Sequence, residues 1–153
     1  MSTSEHCRFQ INPKQGIHMK PRLSIGVHCR DNYAGLYATL QLLRCYHREV
    51  IRDAQLLIID HNPRAPHGEA IRELAAAIRM EAAEHALQRA PVAEHSQIDV
   101  GEIQDSACKY VPLGNEIAAV DILFRNAGAD FVLCVEAGVL IERGGPRRLL
   151  DDV

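Results

Sequence analysis

The stretch Ala54-Gln55-Leu56-Leu57-Ile58-Ile59-Asp60 constrains the fold more than any other part of the chain. Successive strand residues point to opposite faces, so four aliphatic residues in a row need cover on both sides. That pattern belongs to a parallel sheet with helices on each face, not to a sheet with one face in water. The flanking segments agree. Leu23–Cys29 alternates after Pro21 and reads as an earlier strand. Lys109-Tyr110-Val111-Pro112-Leu113 reads as a short strand, and Phe131-Val132-Leu133-Cys134-Val135 as a fully apolar one that ends at Glu136.

Helical stripes lie between the strands. Leu36, Leu40, Leu43 and His47 recur at i, i+4, i+7 and i+11, with Leu42 beside them. A second helix is expected from about Glu69 to Arg89, with Ile71, Leu74, Ala75, Ile78 and Ala82 on one face and Pro91 as its stop. Ile117, Val120, Phe124 and Ala127 form a third stripe, closed by Gly128. Gly144-Gly145-Pro146 opens a last helix. The order β-α-β-α-β-α-β-α predicts an α/β fold with a mainly parallel sheet and right-handed crossovers.

Composition narrows the class. A chain of 153 residues predicts one domain, taken here as 21–153 after a loose extension at 1–20. A net charge of −3 leaves no basic footprint for nucleic acid and no polybasic membrane patch. Aromatics at 5%, with no Trp, disfavour a platform for single-stranded nucleic acid. The five cysteines are scattered and never spaced as CxxC, which argues against a disulfide framework and a zinc ribbon. Cys134 reads as a buried small hydrophobe. No apolar leader core or membrane-length run is visible, so a reduced, cytoplasmic setting is the simplest expectation. Residues 92–107 are mixed and read as a linker, with room for a short strand at Gln97–Val100.

In open parallel sheets ligands bind beyond the carboxyl ends of the strands. Those ends carry His28-Cys29-Arg30-Asp31, then Asp60-His61-Asn62, then Glu136-Ala137-Gly138. Asp31, Asp60 and Glu136 are therefore expected at one edge, with Arg30 and His61. Three buried carboxylates would repel one another, and a cation, a basic residue or ligand donors would relieve that. The plainer reading stands beside this one: Asp31 and Asn32 also suit helix capping, whereas Glu136 suits it poorly. His61 and His67 flank two prolines and read as surface residues rather than metal ligands. His28 and Cys29 point to opposite faces and cannot pair as nucleophile and base. GxGxxG, GxxxxGK[ST] and GxSxG motifs are absent, which disfavours a dinucleotide site, a P-loop and an α/β-hydrolase.

The stretches LSIGVHCRDNYAGLYATLQLL and QLLIIDHN resemble the opening of family 2 glycosyltransferases. The stretch GNEIAAVDILFRNAGADFVLCVEAGVLIERGGPRRLL resembles the later part of the same domain. The likeness covers roughly residues 21–153, with 92–109 poorly matched. It implies the GT-A fold and transfer of a sugar from a nucleotide-diphospho-sugar to an acceptor, whether saccharide, lipid or protein. Cys29, Arg30, Asp31 and Asn32 fall where such enzymes contact the nucleotide, and Asp60 where they read the base. Glu136 falls on the first carboxylate of the DxD motif, near ribose and metal. Gly138 falls on the second, which ordinarily ligates Mn²⁺ or Mg²⁺, and has no side chain to offer. Val120 and Asp121 fall where an Arg-Asn pair faces the diphosphate. The family's acceptor half would follow the DxD strand, where this chain has only residues 137–153.

Three readings follow. The chain is a glycosyltransferase or its donor-binding half; or it is a degenerate relative that binds a nucleotide or another subunit without catalysis; or it is a flavodoxin-like interaction domain. An unfinished sheet edge would invite oligomerisation in any of them.

Overall fold

A computed structural model describes residues 21–52, 54–89, 107–113 and 118–151. The expected extension at 1–20, the short strand at 97–100, the stop at Pro91 and Ile117 of the third stripe lie outside these residues. In chain order the elements are β1 (Leu23–Cys29), α1 (Tyr33–Tyr46), α2 (Arg48–Arg52), β2 (Ala54–Asp60) and α3 (Gly68–Arg89). They continue with β3 (Cys108–Pro112), α4 (Ala119–Asn126), β4 (Phe131–Glu136) and α5 (Gly145–Asp151). The four strands form one sheet in the order β3-β2-β1-β4, and every pairing is parallel.

Strand alternation sorts the apolar residues onto two faces. Leu23, Ile25, Val27 and Cys29 of β1 and Leu56 and Ile58 of β2 pack under α1 and α3, which contribute Leu36, Leu40, Leu43, Ile71 and Ala75. On the opposite face Leu57 and Ile59 of β2 join Val111, Leu113 and Leu123 of α4. The two aliphatic pairs of β2 are thus split between two cores, as the unbroken run requires. The helices sit where a single crossover hand demands. The chain steps from β1 to β2 to β3 with helices on one face. It returns across the sheet to β4 with α4 on the other.

Several local expectations are corrected. The stripe on α4 is not Val120 and Phe124, which are 47% and 64% exposed, but Leu123, flanked by Ala119 and Ile122. Gly26 selects that face. A Cβ on Gly26 would lie 2.6 Å from Leu123 Cδ1, so the bare backbone of β1 is the seat on which Leu123 rests. Gly128 does not close α4 by a left-handed turn. Ala127 is extended, and the Gly128 amide donates to Gln55 Oε1 at 2.7 Å. Gln55 also accepts from Ser24 Oγ at 2.8 Å, so two buried polar side chains at the amino ends of β1 and β2 anchor the loop into β4. On α3 the buried late position is Ala83 rather than Ala82. His47 lies just past α1, buried, with its amide on the Leu43 carbonyl. The five-residue α2 that follows has no fully buried residue, though Val50 and Ile51 pack against the core from its edge.

Cys134 is exposed rather than buried. Among the described residues its strand pairs with β1 alone and ends the sheet, so an apolar sequence sits at an edge.

Candidate functional site

The sheet order reverses at β1. From there the chain runs outward to β2 and β3, then comes back to β4 on the other side. In doubly wound sheets the crevice beyond the carboxyl ends at such a reversal is where ligands bind. The predicted strand-end residues all reach this end, but they divide into two sets.

The β1–β2 side is closed by hydrogen bonds. Asp60 is 1% exposed and fully engaged: Oδ1 accepts from the Asn62 amide at 3.0 Å, and Oδ2 accepts from the Tyr110 hydroxyl at 2.8 Å. Asp60 and Tyr110 share one face of adjacent strands because Asp60 pairs with Pro112. Burial, then the hydrogen bond to Asp60, pushes the Tyr110 hydroxyl up to about 12. The Arg72 guanidinium lies 5.9 Å from the Tyr110 ring centre. Asn62 donates from Nδ2 to Asp31 Oδ1 at 3.0 Å, tying the loop after β2 to the turn after β1. Asp31 holds φ at 56°, the left-handed region that Asp tolerates better than most residues. Cys29 is fully buried on the α1 face; burial pushes its thiol up, a backbone hydrogen bond from Asn32 works against that, and its carbonyl accepts from the His61 amide.

The β1–β4 side is a clasp between loops. Asn32 caps α1, its Oδ1 accepting from the Gly35 amide at 2.9 Å, while its Nδ2 donates to the Ala137 carbonyl at 3.1 Å. Thr39 Oγ1 accepts from the Gly138 amide at 2.9 Å and donates to the Val139 carbonyl at 3.3 Å. Asn32 therefore both caps and bridges, so the capping and site readings are compatible. Glu136 stands exposed beside the clasp, opposite His28 in register. His28 meets His61 edge to face, with ring centres 5.5 Å apart. Burial, then His61 and Arg30, lower the His28 pKa, and Glu136 only partly offsets them. The three acids do not form a buried cluster: Asp60 is enclosed, whereas Asp31 and Glu136 face solvent.

Tyr110, Thr39 and Tyr33 also line this end without a site signal in the sequence, and His67, exposed as its proline-flanked position predicts, stacks on Tyr33. Tyr110 was legible as the inward residue of a short strand, but the Asp60 contact depends on register. Thr39 sits among leucines on the buried side of α1, where a hydroxyl needs a partner.

At the carboxyl end of β4 the described residues offer a divalent ion few ligands. Gly138 has φ 96°, and a Cβ there would lie 3.0 Å from Asn32 Nδ2. The backbone at Gly138 thus has neither a side-chain donor nor ready space for one. Mg²⁺ or Mn²⁺ here would have one strand-end carboxylate, Glu136, and otherwise water and ligand oxygens. No group of three His, Cys, Asp or Glu side chains suited to a metal occurs among the described residues. Val120 and Asp121, in the first turn of α4, are both exposed and bring no cation.

Beside β4 runs an open groove of about 570 Å³, lined mostly by apolar residues with Glu136 and Arg148 at its polar margin. No described helix is long and apolar enough to cross a membrane. No family model, curated protein or solved structure matches the chain.

Proposed function

We propose that this domain binds the nucleotide-diphospho part of an activated sugar across the carboxyl ends of β1, β2 and β4, as the donor site of a family 2-like glycosyltransferase with the GT-A arrangement. One observation carries the reading: the reversal at β1 brings Arg30–Asn32 and Glu136–Gly138 to the same crevice. Asn32 and Thr39 hold the two loops in register. Asp60 acts here as a positioning residue, fixing Asn62 and through it Asp31. Sugar transfer leaves negative charge on the diphosphate, which fixed donors and cations stabilise. Arg30, close enough to depress His28, is the nearest guanidinium in sequence.

A non-catalytic nucleotide-binding or subunit-interaction module is the second reading, favoured by the glycine geometry at Gly138 and by exposed Val120. Calorimetric titration with UDP, GDP and dTDP, each with Mn²⁺ and with EDTA, separates the readings. The donor-site reading expects at least one nucleotide to bind. Little dependence on Mn²⁺ favours the second reading, and a strong dependence favours the enzyme. Absence of binding in every arm removes the donor-site assignment.

A further inference from the structure

We infer that His67, stacked on Tyr33, is the seat for the base of the bound nucleotide. The inference rests on the donor-site reading and specifies its base end. The two rings are nearly parallel, 11° apart, with centres 5.7 Å from each other. Tyr33 opens α1 and packs down against the core, whereas His67 is exposed above it. The imidazole thus lies parallel to the tyrosine ring in an offset contact and is otherwise exposed to solvent, where a third flat ring can meet it.

The loop that presents His67 is rigidly built for an exposed residue. The His61 amide donates to Cys29 O, Ala65 N to Asn62 O, Gly68 N to Ala65 O, and Ile71 N to His67 O, each at 2.9–3.0 Å. Pro63 and Pro66 stiffen the span between them. Gly68 lets the loop close on itself, since a Cβ there would lie 2.3 Å from the Pro63 carbonyl oxygen. A ring held in place before the ligand arrives loses little freedom on binding. The Asn62–Asp31 bond joins this loop to the turn that carries Arg30.

The test compares wild type, His67→Ala and His67→Phe in titrations with UDP, GDP and dTDP. Base–aromatic stacking predicts a loss of about tenfold in affinity for His67→Ala. His67→Phe, which keeps a flat ring, is expected to retain most of the affinity. In wild type the His67 ring protons should shift upfield on nucleotide addition, as a stacked base shields them. Unchanged affinity in His67→Ala overturns the inference while leaving the donor site standing, as does equal loss in His67→Phe. If no nucleotide binds wild type, the donor-site reading falls and this inference falls with it.

Discussion

β2 and β4 carry nearly the same kind of sequence, Gln-Leu-Leu-Ile-Ile-Asp against Phe-Val-Leu-Cys-Val-Glu, and meet different fates. Every residue of β2 after Ala54 is buried, whereas in β4 only Val135 is. The difference is position. β2 lies between β1 and β3 and has helices over both faces. β4 has β1 on one side and, among the described residues, an open edge on the other. Apolar content states what a strand can tolerate; neighbours decide what it buries.

The largest effects should separate these strands. Leu57→Ala removes a fully buried side chain and should cost about 2–5 kcal/mol in urea unfolding. Leu133→Ala, at a half-buried position of β4, should cost about 1 kcal/mol. Equal losses would break the comparison and show that β4 is covered in solution, by a second copy or otherwise.

The carboxyl ends show the same contrast, next in size. Asp60→Ala strips the acceptors from Tyr110 and the Asn62 amide and should cost about 2–3 kcal/mol. Tyr110 adds a pH signature. Its hydroxyl is raised above the ordinary value of about 10, to about 12. A raised acid favours the protonated folded state, so this contribution is full below pH 10 and lost as pH climbs to about 12. Tyr110→Phe should remove that slope from the urea midpoint measured between pH 8 and 12. A slope unchanged in the variant would show that the Tyr110 hydroxyl is not raised in the folded state. Glu136 has no such partner set, and Glu136→Gln should leave stability nearly unchanged.

Much of this was legible from residue type and spacing. The bounds of β1 and β2, the parallel sheet and the convergence of Asp31, Asp60 and Glu136 on one end follow from alternation and element order. What was not legible depends on packing between elements distant in sequence. Nothing local distinguishes Leu123 from Phe124 as the buried residue of α4; the bare backbone at Gly26, almost a hundred positions away, makes that choice. The exposure of Cys134 follows from β4 being an edge, which its sequence does not announce. Asp60 was recognisable as an acid after a buried run, but its Tyr110 partner follows from the β2–β3 register.

The clasp offers a smaller test on the β4 side. Gly138→Ala places a Cβ at φ 96°, 3.0 Å from Asn32 Nδ2. The expected cost is about 1–2 kcal/mol. Gly145→Ala is the matched control, since its nearest neighbour to a new Cβ is 3.9 Å away. Similar costs would mean the β4 loop yields and does not hold the crevice in shape.

The smallest effect concerns chemistry rather than stability. Cys29 and Cys108 are buried, whereas Cys134 and Cys45 are exposed. In a Cys7→Ser background, a thiol reagent under native conditions should modify Cys45 and Cys134 and spare the other two until urea unfolds the chain. Partial burial, then Glu136, raises the Cys134 thiol above its ordinary value, so its labelling should remain incomplete at neutral pH and accelerate as pH rises. Glu136→Gln should speed it by removing the adjacent negative charge. If Cys134 stays unreactive at high pH and becomes reactive on dilution, the edge of β4 is occupied by another copy. The contrast with β2 would then belong to the monomer alone.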